Sequence, residues 1–216
     1  MTIKTPGDAR VWLFTGPSGR GKSVVMGLAM RLLPRRLVAC VTTHKDPVLL
    51  HRSTRTLTEV KVTRGRHRVP VGYFHDKRGL VLFELVNVVQ EERAEFLVSL
   101  AAACEARGNM ALCVDEARRT IKDAPDEFNA LGLAGRHAGL DLLISSQRYT
   151  HIKPDIRGNA TRLAVFRTSD SEDLKRMGAE VGRRSLIPLM RSLPNYHFLW
   201  CNRDTDQVYL HSPVPF

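Results

Sequence analysis

The sequence predicts a three-layer α/β domain with a mostly parallel central sheet and a C-terminal β-hairpin. Two observations carry that prediction. Short β-rich apolar runs alternate with stretches of helical periodicity, the order that βαβ units produce. A glycine-rich turn, GPSGRGKS over residues 16–23, stands between the first strand and the first helix. The length of 216 residues suits one such domain with a substantial core. The expected organisation is therefore a single domain over 1–216 with a basic excursion at about 44–70.

The elements follow in order. Residues 11–15, VWLFT, form the first apolar run, and 22–33 follow as a helix that Pro34 stops. Residues 37–42 are β-rich. Residues 44–70 break the alternation: HRSTRTLTEVKVTRGRHRVP carries Arg52, Arg55, Lys61, Arg64, Arg66 and Arg68 against one acid, Glu59. A strand at 80–83 leads to a helix over 91–107, where Phe96, Leu97, Leu100, Ala101 and Cys104 recur at helical spacing. Residues 110–114 read as strand and 126–136 as a helix with Asp126 and Glu127 in its first turn. Strands at 142–146 and 163–166 come next. A helix over 171–177 takes its N-cap from Ser169, Asp170 or Ser171. Residues 197–201 and 208–211 flank NRDTD as the terminal hairpin.

Composition narrows the function classes. The formal net charge is +11, with 25 arginines against 8 lysines. A domain this basic is expected to bind polyanions, nucleic acid first, and arginine grips phosphate with a planar fork. A GC-rich genome is the plain alternative source of the arginine. Cys40, Cys104, Cys113 and Cys201 form no C-x-x-C pair and no zinc spacing with histidine, so neither a disulfide framework nor a zinc site is expected. The N-terminus has no apolar signal core, and the longest apolar stretch, around LVLFELVNVV, is too short to span a bilayer and contains Glu84. A soluble, intracellular protein without a transmembrane segment is the expectation.

Three motifs carry chemistry. GPSGRGKS matches G-x-x-x-x-G-K-[ST], the Walker A phosphate loop. Gly16, Gly19 and Gly21 let the chain curl through Pro17, Ser18 and Arg20 so that backbone N–H groups face phosphate oxygens. Lys22 reaches the β and γ phosphates of ATP, and the Ser23 hydroxyl ligates Mg²⁺. MALCVDEARR delivers Asp115 and Glu116 from a strand end, where an open α/β sheet keeps its ligand. Asp115 is the Walker B candidate and second Mg²⁺ residue; Glu116 is placed to polarise an attacking water. The alternative is an acidic pair opening a helix for dipole reasons. The third motif is DLLISSQR, an apolar strand with Gln147 at its tip. If 110–114 and 142–146 are neighbouring parallel strands, Gln147 stands beside Asp115 and Glu116, where a glutamine orients the γ-phosphate or the water. The alternative is a polar residue that merely caps a strand.

GPSGRGKS, LCVDEA, GRHAGLDLLISSQR and IRGNATRLAVFRTSD, in that order, resemble the FtsK–HerA superfamily of DNA-translocating ATPases. The resemblance covers most of residues 11–180, and its specific part is the Gln147–Arg148 strand ending followed by TRLAVFR. It implies a RecA-like P-loop domain of the ASCE type and a ring, a homo-hexamer, around double-stranded DNA. It also implies an arginine donated across the subunit boundary. Arg136 in AGRHAGL matches the position of that trans arginine, with Arg148 and Arg162 as the other candidates; a helix-end arginine that complements the dipole is the competing reading of Arg136. THKDP after the second strand departs from the acidic segment usual in the family. The compact chain is similar to the genome-packaging ATPases of tailless icosahedral viruses with an internal membrane. That similarity implies a capsid or portal-vertex partner and a location in the host cytoplasm or at a packaging vertex. Arg52, Arg55, Arg64, Arg66 and Arg68 are then candidates for a pore-facing or capsid-facing basic loop, against a solvated arm.

Two other functions fit parts of the sequence. GPSGRGKS also resembles the loop of guanylate kinases, with residues 52–68 as a lid; Glu116 and Gln147 have no use in a kinase. A non-packaging FtsK/HerA-like pump would share all of the chemistry.

Overall fold

A computed structural model describes residues 9–35, 37–43, 46–47, 56–121, 124–135 and 137–214. Its strands are β1 (Val11–Thr15), β2 (Leu37–Thr42), β3 (Leu57–Val62), β4 (Gly79–Leu85), β5 (Ala111–Val114), β6 (Asp141–Ser146), β7 (Ala160–Phe166), β8 (Phe198–Asn202) and β9 (Gln207–His211). The helices among the described residues are α1 (Lys22–Leu32), α2 (Gln90–Arg107), α3 (Ala117–Thr120), α4 (Asp126–Asn129), α5 (Leu131–Ala134), α6 (Pro154–Gly158), α7 (Ser171–Glu180) and α8 (Ile187–Ser192).

The strands form one sheet in the order β3-β4-β2-β5-β6-β1-β7-β8-β9. Every pairing from β3 to β7 is parallel, and β8 and β9 close the sheet antiparallel, as the expected hairpin does. The inner strands β2, β5, β6 and β7 are buried along their whole length, the mark of a parallel sheet covered on both faces. Side chains alternate between two cores. Leu37, Ala39 and Val41 of β2 face the side covered by α2, whereas Val38 and Cys40 face Met26 and Met30 of α1. All four cysteines are free and buried.

The amino edge of the sheet is pinned by one carboxylate. Asp141 accepts from the Arg10 backbone N–H at 3.0 Å and from Arg35 Nε at 2.6 Å, and Arg35 also bonds Asn109. At the C-terminal end of α1, Leu33 is extended because it precedes Pro34, and the helix stops one residue sooner than expected.

Other expectations change as well. The helix predicted over 126–136 is instead the separate short turns α4 and α5, and residue 136 lies outside the described residues. Asn129 Nδ2 bonds back to the Ala124 and Pro125 carbonyls, which competes with helix propagation, and Gly132 packs against Ile156 where a larger residue would crowd. The segment read as an excursion holds β3, a parallel edge strand. Its residues Leu57, Thr58, Glu59 and Lys61 are exposed, so no apolar run announces it. The helix 171–177 extends to Glu180, and its N-cap is Asp170, which accepts from the Glu172 and Asp173 backbone N–H groups.

Candidate active site

Gly16 follows β1, Asp115 follows β5 and Gln147 follows β6. These strands are adjacent in the order β5-β6-β1 and run parallel, so all three residues leave the sheet at its carboxyl edge. The glycine loop is anchored there by Gly16 N–H, which donates to the Ser146 carbonyl at 3.2 Å. Gly16 has φ 145°, and a Cβ on it would lie 2.7 Å from Phe166 Cβ on β7. Only glycine lets the loop pass so close to that strand. Gly21 caps α1 with φ 97°, so the loop turns directly into the helix.

A cleft of about 290 Å³ opens over this loop. Lys22 and Ser23 line one wall, Asp115 and Glu116 another, and Asp46 and Tyr196 stand at its sides. Lys22 Nζ donates to the Pro17 carbonyl at 2.9 Å. Burial pulls the Lys22 pKa below the ordinary lysine value, and Glu116, Asp115 and Asp46 oppose that shift. A buried ammonium among carboxylates and inward backbone N–H groups is built for an anion carrying several charges.

The acidic wall is tied together by Ser145. Its hydroxyl donates to Asp115 Oδ1 at 2.6 Å and accepts from the Glu116 backbone N–H at 3.0 Å. Thr120 Oγ1 donates to the Asp115 carbonyl at 2.6 Å. Asp115 is only 3% exposed, and its carboxylate shares the cleft with the Ser23 hydroxyl. Two hard oxygen donors beside an anion-binding loop suit Mg²⁺, which keeps several water ligands and takes few from protein. Glu116 adopts the left-handed conformation with φ 52°, an uncommon place for a non-glycine residue and a frequent one at functional sites. Gln147 Nε2 donates to Glu116 Oε1 at 3.0 Å, so the two sequence-predicted residues meet.

Past Gln147 the chain is tied to α7. Arg148 pairs with Asp170 at 2.6 Å and Asp173 at 3.5 Å, and Thr150 bonds Asp173 through both its N–H and its hydroxyl. Arg162 pairs with Asp204 at 2.7 Å from the amino half of β7, away from the cleft's edge. Both are thus committed within the chain. Arg136, Arg52 and Arg55 lie outside the described residues. Arg64 and Arg66 are exposed in the turn after β3, while Arg68 pairs with Glu95 of α2 at 2.8 Å. That turn leaves the same sheet edge as Asp115, three strands away, or roughly 14 Å at about 4.8 Å per strand.

Sequence reasoning missed Ser145, Asp46, Tyr196 and Arg119. Tyr196 has φ 64°, is 46% exposed, and places Cδ1 3.6 Å from where a Gly21 Cβ would be. The neighbouring Asn195 accepts from the Arg20 guanidinium of the glycine loop. Ser145 and Arg119 lie inside the quoted motifs but at positions to which the motifs assign no role, and a serine inside a strand carries no signal of its own.

No family model matches the sequence, and no curated protein matches it either. Solved structures do match the fold. The genome packaging NTPase B204 from Sulfolobus turreted icosahedral virus 2, in complex with AMP, superposes with a TM-score of 0.71 at 17% identity, covering 98% of this chain and 100% of that one. The DNA-packaging ATPase B204 from Sulfolobus Turreted Icosahedral Virus gives 0.69 at 16% identity, covering 95% and 98%. VirB4 of Thermoanaerobacter pseudethanolicus gives 0.68 at 8% identity, covering 100% and 92%. Among the described residues no helix is long and apolar enough to cross a membrane. With the glycine-rich loop at the carboxyl edge of a mostly parallel sheet, the chain shares the α/β fold of the B204 packaging ATPases.

Proposed function

We propose that this protein is an ATPase that translocates double-stranded DNA, and that its task is to package a viral genome into a preformed capsid. One observation carries the reading: Glu116, beside Asp115, is in hydrogen-bond contact with Gln147 from the next strand, at the edge where the glycine loop lies. A second carboxylate and a neutral amide at that place serve to prepare water for attack on a phosphate, a need that a phosphotransferase to another acceptor does not share.

On this reading Lys22, Ser18 and the loop N–H groups hold the phosphates of ATP. Ser23 and Asp115 would hold Mg²⁺, which when bound offsets phosphate charge. Glu116 takes a proton from the attacking water. Gln147 orients that water or the γ-phosphate, and its state reaches α7 through Arg148. Tyr196 offers an aromatic face at the mouth of the cleft for the base. Arg136 of a neighbouring subunit in a hexameric ring completes the site. DNA is held by its backbone without sequence reading, in keeping with the +11 charge, and the exposed Arg64 and Arg66 belong to the surface that meets DNA or capsid. The whole chain acts as one domain, in the host cytoplasm or at a capsid vertex. The match in fold and in length to the B204 packaging ATPases supports this setting.

The deciding experiment is ATP hydrolysis with and without duplex DNA, with GMP as a control acceptor. Stimulation by DNA that disappears in Glu116→Gln is the expected result. ADP formation that requires GMP and ignores DNA would overturn the proposal in favour of a kinase.

A further inference from the structure

Glu116 lines two clefts. One is the nucleotide cleft; the other, of about 330 Å³, is lined by Glu116, Gln147, Arg118 and Arg119. Both carboxylate oxygens are engaged on this second side. Oε1 accepts from Gln147 Nε2 at 3.0 Å, and Oε2 lies 3.5 Å from Arg119 Nε. A water seeking that carboxylate must compete with both. The backbone beneath is fixed: Arg93 donates to the Arg119 carbonyl at 2.8 Å, and the buried Thr120 bonds Asp115. The Arg119 side chain is not fixed. It is 65% exposed, and its ion pair with Glu116 is longer than a hydrogen bond. Such a pair is weak and easily exchanged, whereas a phosphate oxygen pair offers a guanidinium two parallel short bonds. Arg118 beside it is exposed and has no hydrogen bond or ion pair among the described residues.

We propose that this second cleft binds the phosphodiester backbone of DNA through Arg118 and Arg119, and that binding draws Arg119 off Glu116. The carboxylate is then released toward the nucleotide cleft, so DNA accelerates hydrolysis. This rests on Glu116 being the residue that prepares the water. It gives the otherwise unexplained pair of exposed arginines a role.

The test compares hydrolysis by the full chain, its Arg119→Ala and Arg119→Gln variants, and Glu116→Gln, each without anion, with duplex DNA and with inorganic phosphate. Loss of the Arg119 pair should raise the rate without DNA by up to about fivefold, the limit set by the strength of an exposed ion pair. Duplex should then add little, and Arg118→Ala should weaken duplex binding measured by fluorescence anisotropy. Inorganic phosphate should not replace duplex; if it stimulates and duplex does not, the backbone assignment is overturned. The clamp is overturned alone if Glu116→Gln is inactive while both Arg119 variants keep the original rate and the full stimulation. If Glu116→Gln hydrolyses ATP as fast as the unaltered chain, the reading of Glu116 fails and the clamp with it. Arg119→Gln guards against a folding artefact, because two unlike side chains at an exposed position should agree.

Discussion

The amide of Gln147 donates a 3.0 Å hydrogen bond to the Glu116 carboxylate, joining the tips of neighbouring parallel strands β6 and β5. On the proposed mechanism the two act on one water. Glu116→Gln should therefore lower kcat by about 10²–10⁴ while ATP binding persists, since general-base removal affects the transition state and spares the phosphate contacts. Gln147→Ala should lower kcat less and leave KM near its original value. Steady-state hydrolysis with a direct nucleotide-binding measurement checks both; equal losses of binding and turnover would place these residues in the binding of ATP instead.

Lys22 makes a pH prediction. Its folded pKa lies below the ordinary 10.5 because burial penalises the charged form. The unfolded chain then binds more protons in the interval between the two values, so this residue's contribution to stability rises with pH up to about 10.5 and falls as pH drops toward the folded value. Lys22→Met should abolish that part of the slope and stabilise the ligand-free protein at neutral pH, while eliminating nucleotide binding. Denaturant midpoints of the two proteins at a series of alkaline pH values up to about 10.5 give the slope as a difference. Bound nucleotide should shrink it, because phosphate charge favours the ammonium.

Ser145 links the two acids that the motif places side by side. Ser145→Ala leaves Asp115 Oδ1 and the Glu116 N–H without that partner. A loss of about 1–3 kcal/mol in folding stability is expected for an unmet buried polar group. Activity should fall too, and excess Mg²⁺ should restore part of it, because Asp115 is misplaced and not removed. Chemical denaturation and a Mg²⁺ titration of the rate separate the two effects.

Asp141 is the control for stability without chemistry. It is buried at the amino edge of the sheet with Arg35 at 2.6 Å, and the catalytic residues proposed here leave the opposite edge. Asp141→Ala removes the carboxylate that neutralises the buried Arg35 guanidinium and should cost about 3–5 kcal/mol. Nucleotide affinity of the remaining folded fraction should not change, which isothermal titration below the melting transition would reveal.

The sequence by itself determined the fold class and singled out the residues proposed for the chemistry. Continuous apolar runs such as 37–42 are legible because parallel strands are buried on both faces, and the glycine loop is legible because its backbone geometry tolerates few other residues at Gly16 and Gly21. Gln147 could be placed near Glu116 on the single assumption that β5 and β6 are neighbours, and they are. Elements whose stability comes from partners were not legible. Among the described strands β3 pairs with β4 alone, and it shows solvent most of its side chains, while the helix expected over 126–136 yields to local bonds from Asn129. Only the tertiary structure decided that Ser145 would bridge both acids from 30 residues away, and that Asn195 would hold Arg20 from 175 residues away. The turn after Glu116 likewise put Arg119 against its carboxylate. Hydrogen bonds and ion pairs across such separations leave no periodicity in the chain. They exist because the sheet order brings the strand ends to one edge, and that order is a property of the packed molecule.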